Sequence, residues 1–145
     1  MYKKILVPLD GSKLTKKALE HAEKLAKTYG AEIILFQVVP LIPIYGGLEL
    51  GTPVIVDKKQ RKAAEMDLTK LTEEMKTRGH KVTAIVKKGE NVAVEIINFA
   101  KERGVVLVVM CTHDHSGITR WVLGSVAHKV LTQAETPVLL IHLRR

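Results

Sequence analysis

The chain has 145 residues, a formal net charge of +8 and a single cysteine. That length fits one domain spanning residues 1–145, its apolar runs are too short to cross a bilayer, and one cysteine excludes a disulfide framework or a cysteine-rich zinc site. Only 4% of residues are aromatic although 46% are hydrophobic, so Val, Ile, Leu and Ala must fill the core, as they do in parallel sheets covered by helices on both faces.

Ile5 to Leu9 is a short apolar run closed by Asp10-Gly11-Ser12, which predicts a buried strand and a turn. From Leu14 to Tyr29 the residues Leu14, Ala18, Leu19, Ala22, Leu25 and Ala26 follow helical spacing. Ser12 or Thr15 is the expected cap and Gly30 the stop. Glu32 to Val39 is a second buried strand. Residues 40–56, rich in proline and glycine, read as a loop, and its stretch Leu41 to Val56 either covers the body or meets a partner. A second amphipathic helix runs from Asp57 to Arg78, a third strand from Lys81 to Lys87, and a third helix from Val92 to Arg103. Val105 to Met110 is the most hydrophobic strand, residues 111–124 form a polar loop, Ser125 to Ala134 a short helix and Val138 to His142 a last strand. Strands alternating with helices predict right-handed crossovers and a parallel sheet.

In such sheets ligands bind beyond the carboxyl ends of the strands. Three segments leave a strand there: Pro8-Leu9-Asp10-Gly11, Val38-Val39-Pro40, and Met110 through Ser125. Asp10 suits a ligand contact and equally a turn. Gly124-Ser125 precedes a helix, whose free N–H groups and positive dipole end suit a phosphate. His113-Asp114-His115 lacks a complementary ligand set for a metal. No nucleophile elbow, Walker phosphate loop or dinucleotide fingerprint is present, so turnover chemistry has no evident carrier. The lysines are scattered among Glu and Asp with no aromatic platform beside them, which argues against nucleic acid as a partner. The N-terminus lacks the apolar core and cleavage site of a secretory leader, and a cytoplasmic location without a membrane partner is the expectation.

Four stretches carry a resemblance to the universal stress protein family: YKKILVPLDGS, AEIILFQVVP, VKKGENVAVEIINFAKERGVVLVVM and THDHSGITRWVLGSVAHKVLTQAETPVLLI. The resemblance implies an α/β fold with a doubly wound, five-stranded parallel sheet and helices on both faces, of the adenine nucleotide alpha hydrolase-like kind. It also implies an ATP or AMP site, with magnesium if ATP, and a homodimer paired through Val138 to His142. By the same resemblance Asp10 would contact ribose or metal, Val38 the adenine through its backbone, and Gly124, Ser125 and Val126 the phosphates. The glycine motif of nucleotide-binding members is half kept: Gly124 and Ser125 match, whereas Cys111 and Asp114 stand where glycines belong. A carboxylate at Asp114 would repel a polyphosphate, and His113, His115, Arg120 or Lys129 would offset it if they point inward. Two readings therefore stand: a sensor with a weakened nucleotide site and at most very slow hydrolysis, or a nucleotide-free dimeric adaptor with an unknown protein partner.

Overall fold

Apolar runs flanked by turns set up a parallel sheet whose two faces are each closed by a pair of helices. The computed structural model describes residues 1–43, 54–56, 58–112 and 123–142. Within these the order is β1 (Lys4–Leu9), α1 (Lys17–Tyr29), β2 (Glu32–Pro43), β3 (Val54–Val56), α2 (Lys58–Thr77), β4 (Lys81–Gly89), α3 (Val92–Glu102), β5 (Leu107–Thr112), α4 (Ser125–Gln133) and β6 (Val138–His142). Five strands are parallel in the order β4-β2-β1-β5-β6, and β3 adds antiparallel to the far end of β2.

Strand alternation divides the core in two. Ile5, Val7 and Leu9 of β1 and Leu107, Val109 and Cys111 of β5 pack on α1 and α2, through Ala18, Leu19, Ala22, Leu68 and Met75. Leu6, Ile34, Phe36, Val108 and Met110 face α3 and α4, meeting Ala93, Ile96, Phe99, Ala127 and Val130. The Phe36 and Phe99 rings stack at 4.5 Å between centroids, joining β2 to α3. Because β1 and β5 are covered on both faces, their side chains are buried almost end to end, which is why they read as unbroken apolar runs.

Chain direction then fixes the ligand edge. From β1 the chain winds outward through α1 and α2 to β4, returns through α3 to β5 on the other side of β1, and continues through α4 to β6. The order reverses between β1 and β5, so a crevice opens beyond their carboxyl ends.

Three expectations are corrected. Helix α1 starts at Lys17 rather than Leu14, and its N-cap is Lys16 with no side-chain cap bond; Ser12 and Thr15 are engaged in the turn before it instead. Residues 40–56 are not wholly a loop, because β2 continues to Pro43 and pairs with β3 through Leu41↔Val56 and Pro43↔Val54. Partner β4 ends opposite Pro40, at Gly89, so Pro43 occupies a margin where a missing N–H is tolerated. Finally, β5 runs from Leu107 to Thr112, which moves Cys111 from the loop into the strand. Gly30 closes α1 in the left-handed conformation, φ 67°, with its N–H on the Ala26 carbonyl, as the sequence predicts.

Candidate functional site

A cavity of about 310 Å³ occupies the crevice where strand order reverses. β1 supplies Pro8, Leu9 and the following Asp10; β5 supplies Met110 and Cys111; Thr15 reaches in from the turn before α1. Val92 and Ile96 of α3 form an apolar wall, and Gly124 with Ser125, Val126 and Ala127 opens the first turn of α4 on the remaining side. An apolar lining with a few converging polar groups is the usual make-up of a small-molecule site.

The turn after β1 is organised around the Asp10 carboxylate. Asp10 Oδ1 accepts the Ser12 N–H at 2.8 Å and the Thr15 hydroxyl at 2.9 Å. The Ser12 hydroxyl accepts the Thr15 N–H at 3.3 Å, which closes the loop on itself. Gly11 takes φ 88° inside this turn, a conformation that favours glycine. Asp10 is exposed and Thr15 buried, so a charged group at the rim is anchored by a hydroxyl beneath it.

Helix α4 brings a different resource. Its first intrahelical bond runs from the His128 N–H to the Gly124 carbonyl at 2.8 Å, and Gly124 offers no capping side chain. The N–H groups of the first turn therefore have no partner within the helix, and they carry the positive end of its dipole. Helix α3 shows the contrast: Asn91 Oδ1 accepts the Val94 N–H at 3.1 Å and caps it. The first turn of α4, which opens on the cavity, has no side-chain cap.

Cys111 lines the cavity while its thiol turns toward the core. Its thiol lies in the core under α1, 3.9 Å from the Thr15 carbonyl. Burial pushes its pKa up and the Asp10 charge adds to this, while the Ala18 backbone and Lys17 pull it down. Among the described residues no non-glycine residue has positive φ, so cysteine sits at this strand position without backbone strain.

Of the residues singled out from the sequence, the structure gathers Pro8, Leu9, Asp10, Met110, Cys111, Gly124, Ser125 and Val126 around the one cavity. Val38 does not line it; its side chain is buried in the core on the α3 and α4 face. Asp114 lies outside the described residues, as do His113, His115 and Arg120. Thr15, Val92, Ile96 and Ala127 were not anticipated. Thr15 reads as a helix cap, and the other three read as ordinary apolar helix positions.

Among the described residues no group of three or more His, Cys, Asp or Glu side chains is placed to hold a metal ion, and no helix is long and apolar enough to cross a membrane. Asp10 is the one carboxylate among the described lining residues.

Comparison with known proteins agrees with this architecture. YxiE, a universal stress protein of Bacillus subtilis, is 34% identical over 148 aligned residues, covering 97% of this chain and 99% of the relative. A solved structure of a family member from Burkholderia pseudomallei is 29% identical with a TM-score of 0.75, covering 97% of this chain and 96% of that one. A universal stress protein of Archaeoglobus fulgidus, solved in complex with dAMP, is similar in fold with a TM-score of 0.71 at 21% identity, over 97% of this chain and 98% of that one. The sequence profile of the Universal stress protein family matches residues 1–142, and with nearly the whole sequence and the fold in agreement, the chain belongs to the universal stress protein family.

Proposed function

We propose that this chain binds an adenine nucleotide, AMP or ATP, in the crevice between β1 and β5 and works as a dimeric sensor in a stress response. The observation that carries the reading is the meeting of Asp10 with the uncapped first turn of α4 across one apolar cavity. Such a pair offers an acceptor for ribose hydroxyls at one end and donors for a phosphate at the other. The walls between them, Val92, Ile96 and Met110, suit a nucleoside body. A dAMP-bound relative of the same fold supports the choice of ligand class. With ATP, magnesium would neutralise phosphate charge with Asp10 beside it.

The homodimer would form through β6, an edge strand whose Leu139 is exposed. An apolar edge of this kind invites pairing with a second copy.

A second reading, the nucleotide-free adaptor, draws on Asp114, which stands where nucleotide-binding members have glycine. Calorimetry with ATP and magnesium on the wild type and Asp114→Gly separates the two. Micromolar binding by the wild type, tightened in Asp114→Gly, is the expected outcome. Binding gained only by Asp114→Gly would favour the adaptor, and no heat from either protein would remove the nucleotide from the account.

A further inference from the structure

We propose that Thr15 is a positioning residue of this site, holding the Asp10 carboxylate in the orientation in which it meets the ligand. The inference rests on the nucleotide reading above and adds a residue to it.

The Thr15 hydroxyl sits where four groups converge. It lies 2.9 Å from Asp10 Oδ1, 3.1 Å from the Ser12 carbonyl, 3.4 Å from the Ser12 hydroxyl and 3.5 Å from the Asp10 N–H. It has one proton to give, and the shortest contact is to the charged acceptor, where a hydrogen bond is strongest. The residue is 7% exposed, lines the cavity, and lies outside helix α1, whose N-cap is Lys16. A threonine placed to cap the helix would turn its oxygen to the N–H groups of the first turn. This one turns it back toward the strand end.

The rest of the residue is held as well. Its carbonyl lies 3.9 Å from the Cys111 thiol on β5, and its N–H is bound by Ser12. Thr15 therefore spans the two strands that frame the crevice. Its hydroxyl adds a second bond to a carboxylate oxygen of an exposed residue, beside the Ser12 N–H that the same oxygen accepts at 2.8 Å. Fixing that oxygen in advance removes an ordering cost from ligand binding.

A double-mutant cycle read by AMP binding tests the proposal, with Thr15→Val removing the hydroxyl at nearly constant shape. Thr15→Val should weaken AMP about tenfold, the scale of one hydrogen bond to a charged group. Thr15→Ser, which keeps the hydroxyl, should bind within about threefold of the wild type. In the Asp10→Ala background Thr15→Val should add less than about a twofold loss, because the acceptor through which it reaches the ligand has been removed. Additive losses in the two backgrounds would overturn the proposal, as would a Thr15→Ser variant as weak as Thr15→Val, or a Thr15→Val variant that binds like the wild type. Thr15→Ala replaces Thr15→Val in the cycle if the valine variant does not fold. A wild type that binds no AMP overturns the nucleotide reading first and the role of Thr15 with it, whereas a binding wild type with an additive cycle overturns Thr15 alone.

Discussion

At Gly124 the needs of the fold and the needs of a ligand separate. Its φ of −61° and ψ of 154° are open to any residue, and an added Cβ would meet no described atom within 4 Å. Among the described residues nothing crowds a side chain there; a phosphate approaching the backbone would. Gly124→Ala should cost no more than about 1 kcal/mol of stability, alanine being a poorer N-cap than glycine, and weaken nucleotide binding about tenfold or more. Thermal denaturation and calorimetry on the same preparation read both quantities. Equal affinity in the two proteins would show that no ligand approaches this backbone. The sequence exposed Asp10, Gly124 and Ser125 because each punctuates an element: a polar residue ending an apolar run, or a glycine–serine pair ahead of a helix. It hid Thr15, because a hydroxyl ahead of a helix reads as a cap whichever way it turns. It also hid Val92 and Ile96, since an apolar helix position facing a cavity has the same spacing as one facing core.

Helices α1 and α2 are joined at the opposite end of the sheet by a cluster of Glu23, Arg78 and His80. Glu23 on α1 accepts from Arg78 through Nε at 3.0 Å and Nη2 at 2.8 Å, and its other contact is His80 Nε2 at 3.0 Å. The Arg78 hydrogen bonds, with the nearby positive charge, hold the Glu23 carboxyl below its ordinary value of 4.5 despite the opposing effect of burial. A depressed folded-state pKa contributes stability that is complete above the ordinary value and is lost as the pH falls through the folded one. Arg78 is half-exposed, so solvent screening keeps the magnitude small. Glu23→Gln should cost about 1 kcal/mol at neutral pH, and the difference from wild type should close below the ordinary value of 4.5. Urea denaturation at several pH values measures it, and a constant difference across them would contradict this account. The helices and the parallel strands were legible because their apolar periods are long and uninterrupted. The continuation of β2 past Pro40 and its pairing with β3 were not, because proline and glycine signal a loop locally while pairing depends on a partner distant in sequence.

At the scale of the whole molecule the sequence pattern gave the alternation of strands and helices but not the strand order, which depends on which neighbours each crossover passes. That order creates the crevice by bringing β1 and β5 side by side. It also leaves β6 at an edge with Leu139 36% exposed. If β6 is the dimer contact, light scattering should give twice the monomer mass at micromolar concentration, and Leu139→Glu should shift the protein toward monomer by placing like charges across the two-fold axis. A monomeric wild type would remove the dimer from the proposal.

The central claim is that the crevice between β1 and β5 takes an adenine nucleotide with its phosphate on α4. Titrating ¹⁵N-labelled protein with AMP and following the amide resonances tests it most directly. The account predicts shifts concentrated at Leu9, Asp10, Cys111 and the first turn of α4, Ser125 to Ala127. Unchanged spectra at millimolar AMP, or shifts centred at the opposite end of the sheet near Glu23 and Arg78, would contradict it.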